Sequence, residues 1–141
     1  MWLYERFKEA VGGGLVLVAP LRLKVRPGTF REPDILMLFD GAHPRFQDAY
    51  WLGADLVVEI VSPDDPKRDL ETKPHDYAAA GIPEYWIVNP LIDTITVLVL
   101  EGAEYIAFGV FGRSERAVSK HLAGFTVDVG EVFDAGEYPT T

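Results

Sequence analysis

Leu3, Tyr4, Phe7 and Val11 recur at helical spacing, and Gly12-Gly13-Gly14 follows them. This predicts one amphipathic helix stopped by glycines. Leu15–Ala19 is a continuous apolar run, and Leu21–Val25 alternates apolar with basic, which gives two strands or one strand bent at Pro20. Pro27-Gly28 reads as a turn. Asp34–Phe39 reads as a strand with its acid at the start, and Asp40–Gly53 as a loop broken by Gly41, His43, Pro44 and Gly53. Leu56–Val61 is apolar on both faces except at Glu59, the pattern of a strand in the centre of a sheet. Asp69–Ala80 looks helical. Pro74 cannot lie deep inside a helix, so the helix starts near it or kinks there. Gly81 is a stop signal. Tyr85–Val88 is a strand, Ile95–Leu100 and Tyr105–Val110 form a hairpin around Glu101–Glu104, and Phe125–Val129 is a last short strand. From residue 131 onward the tail reads as loose. The order of elements predicts an α/β (α+β) domain with a mixed sheet flanked by helices.

The chain has 141 residues, no internal repeat and no dividing linker, so a single domain over 1–141 is expected. Apolar residues make up 48%, which excludes a disordered chain. No apolar run approaches the roughly 18 residues of a membrane span, and MWLYERFKEAV lacks the apolar core of a signal peptide. With no cysteine there is no disulfide and no thiolate chemistry. A cytoplasmic protein without a membrane partner is the expectation. The net charge of −9 excludes a generally basic nucleic-acid surface. It is unevenly spread. Of 13 basic and 22 acidic residues, ten and twelve fall in residues 1–73, leaving three and ten for the rest. A polyanion site is therefore expected in the first half. Arg22, Lys24 and Arg26 share a face by alternation and Arg31 follows, a candidate nucleic-acid contact or simply a solvated strand face.

Two acids in strands otherwise built from Val, Ile and Leu need a physical reason. Asp34 and Glu59 fall on separate strands. If these are neighbours, their carboxylates meet, and two such charges at about 4 Å repel by roughly 4 kcal/mol at an effective dielectric near 20. One acid then protonates or a cation sits between them. An oxygen-only donor set without Cys suits Mg²⁺, with Mn²⁺ an alternative. A nearby lysine would orient water or neutralise charge on a phosphate. The blander reading makes Asp34 a turn residue, Glu59 an ion-paired strand acid and Lys73 an exposed lysine.

Pro33-Asp34, the run LVVEIVSP, then Asp69, Lys73 and Tyr77, then AAAGIPEYWIVNP resemble the Uma family of restriction-endonuclease-like proteins, within the PD-(D/E)XK nuclease superfamily. The match is specific from Ala54 to Pro90 and looser elsewhere. The resemblance implies a restriction-endonuclease-like fold, with Asp34, Glu59 and the backbone carbonyl of Ile60 as metal ligands. The superfamily's usual lysine position is Val61 here, and the resemblance implies that Lys73 supplies the amine from the following helix. Tyr77, one turn later on the same face, and His75 are supporting candidates. Asn89 stands where the family usually has Asp, and the chain is expected to start later than other family members. Glu5 and Glu9 are candidates by position alone for an additional N-terminal acid.

Three functions follow. The first is a Mg²⁺-dependent endonuclease acting on DNA as a homodimer or higher homo-oligomer, with Asp34, Glu59 and Lys73 as its catalytic set. The second is an inactive nuclease-fold module that works through protein contacts. The third is a metal-dependent hydrolase of a small phosphorylated substrate.

Overall fold

A computed structural model describes residues 2–12, 14–19, 21–39, 46–47, 50–65 and 67–135. Helix α1 (Trp2–Val11) buries Leu3 and Phe7, four residues apart. Gly12, at φ 64, takes the left-handed conformation that ends it. A side chain at Gly14 would run into the backbone oxygens of Leu38 and Phe39, so only glycine lets the chain pass this close.

Strands β1 (Leu15–Val18), β2 (Leu23–Arg26), β3 (Thr29–Arg31) and β4 (Ile35–Leu38) follow. Next come two short pieces, β5 (Phe46–Gln47) and β6 (Tyr50–Trp51), then β7 (Leu56–Ile60). A π-helical turn (Arg68–Thr72) leads into α2 (Lys73–Ala79). The chain continues through β8 (Glu84–Asn89), β9 (Thr94–Glu101), β10 (Glu104–Phe111), β11 (Arg116–Val118), β12 (Thr126–Asp128) and α3 (Val129–Ala135).

Six strands form the main sheet in the order β1-β4-β7-β8-β9-β10. Only β7 and β8 run parallel within it, because α2 and its π turn form the crossover between them. Strands β4, β7 and β8 are buried along their whole length, as near-continuous apolar runs in a sheet covered on both faces must be. One face packs under α1 and α3 through Phe7, Met37, Val58, Trp86, Phe125 and Phe133. Phe7 stacks on Phe125 at 4.5 Å and meets Trp86 edge-on at 5.2 Å. The other face, with Leu36, Val57, Tyr77 and Tyr85, is covered by α2 and by β2. β2 belongs to a small second sheet ordered β3-β2-β6-β5. The mixed α/β architecture is the class that the sequence pattern predicts.

The pattern misplaces some pieces. Residues 40–53, expected as a loop, contain β5 and β6. They pair through Phe46↔Trp51, and β6 joins β2 at Leu23↔Trp51. The remainder of 40–49 lies outside the described residues. β3 and β11 are three residues each and owe their conformation to partners across the ladder, so no local periodicity marks them. The tail is a correction: residues 131–135 are not loose. They belong to α3, which buries Val132 and Phe133, while 136–141 lie outside the described residues. No described helix is long and apolar enough to cross a membrane.

Candidate active site

Strands β4 and β7 are antiparallel neighbours, with Ile35 opposite Val58. Just beyond the ladder, the Asp34 amide donates to the Val58 carbonyl at 3.0 Å. The Ile60 amide in turn donates to Asp34 Oδ2 at 2.6 Å. Asp34 therefore brackets Glu59 from both sides along β7. Alternation places Glu59 on the same sheet face as Val57, opposite to Val58 and Ile60. That face is roofed by α2, and Glu59 is 1% exposed.

Pro74 explains how α2 presents its side chains. Its ring blocks the carbonyl four residues earlier and it has no N–H, so a regular α-helix cannot run through it. The chain instead makes a wide π turn over Arg68–Thr72 and begins α2 at Lys73, with Pro74 in the first turn. Lys73 and Tyr77, one turn apart, point to the same carboxylate. Lys73 Nζ lies 3.1 Å from Glu59 Oε1, and the Tyr77 hydroxyl donates to Oε2 at 2.6 Å. Burial pushes the Glu59 carboxyl up to about 7. The Lys73 charge and the Tyr77 hydroxyl pull against that push, and Asp34 adds to it. Burial, and then the Glu59 charge, hold the Tyr77 hydroxyl well above the usual tyrosine range, so it stays a donor.

The fold thus brings Asp34, Glu59, Lys73 and Tyr77 together at one end of β7, beside Ile60. His75 lies elsewhere. It is exposed and lines a shallow groove of about 350 Å³ with Pro74, Ala78, Leu98, Glu104 and Tyr105. Glu5 and Glu9 are exposed on α1, on the opposite side of the sheet from Glu59, and Glu9 pairs with Arg6.

The basic row has its own partners. Arg22 lies over the Phe30 ring at 4.1 Å. Lys24 and Arg26 point away from buried Leu23 and Val25, as alternation requires. Arg26 Nη1 donates to Asp76 Oδ1 at 2.9 Å, and Arg31 Nε to Asp76 Oδ2 at 2.8 Å. Burial raises the Asp76 carboxyl, but these bonds more than offset it, and the group lies below the usual range. Sequence reasoning gave Asp76 no role. Its only signal was an acid among apolar neighbours on the lysine helix.

Glu84 was missed too. It is fully buried on the other face of the sheet and accepts four bonds, from Trp86 Nε1 at 2.7 Å, Ser119 Oγ at 2.7 Å, Lys120 N at 3.1 Å and His121 N at 2.8 Å. Trp86 is two residues away, but the other three donors lie more than thirty residues along the chain, so no local spacing marks this glutamate.

The donor set on the α2 face consists of two carboxylates, hard oxygen ligands that suit Mg²⁺ or Mn²⁺. Among the described residues no group of three or more His, Cys, Asp or Glu side chains converges as a metal cage. Mg²⁺ fits such a sparse set because it retains several waters and takes only one or two carboxylates.

The model of the Uma2 family, described as "Putative restriction endonuclease", matches residues 1–130. The chain belongs to the Uma2 family. A solved structure titled as a putative nuclease belonging to DUF820, from Anabaena variabilis, is similar in fold, with a TM-score of 0.74 at 17% identity. The similarity covers 94% of this chain and 76% of that one. No curated protein sequence matches the chain.

Proposed function

We propose that this Uma2 protein is a metal-dependent endonuclease that hydrolyses DNA phosphodiesters, with Asp34, Glu59 and Lys73 as its catalytic residues. The observation that carries the reading is the meeting of two carboxylates and one ammonium, from three separate elements, at the end of β7. Asp34, Glu59 and the Ile60 carbonyl would hold Mg²⁺ or Mn²⁺. A bound divalent ion lowers the pKa of a water and stabilises charge on a phosphate. The chain's own residues do the rest. Tyr77 fixes one oxygen of Glu59 and so its orientation. Lys73, 3.1 Å from Glu59, would donate to a phosphate oxygen or to the attacking water. Burial under α2 raises the local strength of all these charges.

Plasmid cleavage tests this directly. The wild-type protein should cut with Mg²⁺ or Mn²⁺ and stop on chelation. Asp34→Ala and Glu59→Ala should each lose cleavage by at least about a hundredfold. Robust cutting by either variant would remove that residue from the site. Duplex cutting requires two sites, so we carry a homodimer as part of the proposal. A monomer by sedimentation that still makes double-strand breaks would overturn that part.

One observation favours a second reading, a non-catalytic module with a nuclease fold. Lys73 and Tyr77 occupy both oxygens of Glu59, so the carboxylate is satisfied without a metal. Calorimetry with Mn²⁺ separates the two readings, because the module predicts no binding at any pH.

A further inference from the structure

Helix α2 is too short to fix its own orientation. With the π turn Arg68–Thr72 that runs into it, it spans only residues 68–79, at the margin of the length at which a helix is stable alone. Yet two of its side chains land on the two oxygens of a single buried carboxylate, Lys73 on Oε1 and Tyr77 on Oε2. A modest roll of the helix would break both contacts.

Asp76 supplies the second anchor that prevents such a roll. It sits about 100° around the helix from Tyr77, so it faces a different neighbour. It is 3% exposed. Its Oδ1 accepts from Arg26 Nη1 at 2.9 Å, and its Oδ2 accepts from Arg31 through Nε at 2.8 Å and also through Nη2. Arg26 ends β2 and Arg31 ends β3, the two antiparallel strands that turn at Pro27-Gly28. The helix is therefore held to the main sheet through Glu59 and to the small sheet through Asp76. Bonds in which both groups are charged are the stronger kind, and the Arg31 fork adds direction to strength.

We propose that Asp76, together with Arg26 and Arg31, is a positioning cluster that holds Lys73 and Tyr77 against Glu59. The proposal rests on the endonuclease reading only for what the arrangement serves. The arrangement itself is testable without DNA or metal. The cluster also changes the reading of the basic row, since any phosphate contact by these two arginines competes with Asp76.

The test uses the full chain and native-state labelling with an amine-reactive reagent, read lysine by lysine by mass spectrometry. Lys73 is shielded, with 14% of its side chain exposed, whereas Lys67 and Lys120 are exposed and serve as references. Asp76→Asn keeps the shape and removes the charge. Labelling of Lys73 should rise roughly tenfold, the effect of losing bonds to a charged group, while the references hold steady. Arg31→Met should act in the same direction, and it serves alone if Asp76→Asn does not fold. Asp76→Glu should restore protection toward the wild-type rate. Unchanged Lys73 labelling in the neutral variants would overturn the proposal. So would a parallel rise at all three lysines that Asp76→Glu does not reverse. An inactive wild-type protein would sink the endonuclease reading and leave this result standing.

Discussion

Glu59 has two donors and almost no solvent, so its charge answers to pH. Its carboxyl lies at about 7 when folded against 4.5 as a free side chain. The folded state therefore binds the proton more tightly than the unfolded chain does. The resulting stability is fully present below about pH 4.5 and is lost as pH rises toward and through 7. Glu59→Gln removes this dependence. The unfolding free energy of wild type relative to Glu59→Gln should fall by about 3 kcal/mol between pH 4 and pH 8, measured with urea. A flat difference would show that Glu59 titrates normally. Tyr77→Phe removes the donor to Oε2. Above pH 7 it should cost about 1–3 kcal/mol, because a buried charged acceptor is left unmatched. At pH 5, where the carboxyl carries its proton, the cost should be smaller, and equal costs at the two pH values would contradict the assignment.

At the scale of elements, the molecule is pinned by carboxylates on both faces of its sheet. Asp76 ties α2 to the small sheet, and Glu84 ties β8 to the turn at Ser119–His121. Glu84→Ala would strand an indole N–H, a hydroxyl and two amides. The expected loss is about 3–5 kcal/mol by urea unfolding, a core-sized effect for a polar residue. A loss below about 1 kcal/mol would mean that water replaces the carboxylate at little cost. The elements also show where local pattern suffices. The spacing of Leu3, Phe7 and Val11, and the near-continuous apolar runs of β4, β7 and β8, announced their elements because burial on one or two faces leaves a mark in the sequence. β3, β5, β6 and β11 left none, because two or three residues are too few to carry a period. In α3 the burial of Val132 and Phe133 outweighs a locally polar, acidic stretch.

On the endonuclease reading, the whole molecule has to reconcile a net charge of −9 with a polyanionic substrate. On that reading a divalent ion held by Asp34 and Glu59 on the α2 face is the means, and its binding would require an ionised Glu59. At pH 8 a saturating metal should therefore stabilise the protein, by about 3 kcal/mol at a hundred times its dissociation constant. At pH 6 the gain should be much smaller, since the proton competes for a carboxyl at about 7. Thermal melts with Mn²⁺ at the two pH values check this, with Asp34→Asn as the control that should lose the gain. Equal stabilisation of wild type and Asp34→Asn would place the metal elsewhere.

The sequence by itself determined that Leu56–Val61 is a central strand, that acids stand at Asp34 and Glu59 in apolar strands, and that a lysine and a tyrosine share one helical face. These are local matters of spacing, and spacing survives in one dimension. Only the tertiary structure decided that β4 and β7 are neighbours, so that Asp34 brackets Glu59. It alone set Lys73 and Tyr77 on the two oxygens of one carboxylate, and turned Arg26 and Arg31 toward Asp76. Those outcomes depend on groups up to fifty residues apart competing for the same partners. Burial and charge settle that competition only once the sheet has closed around them.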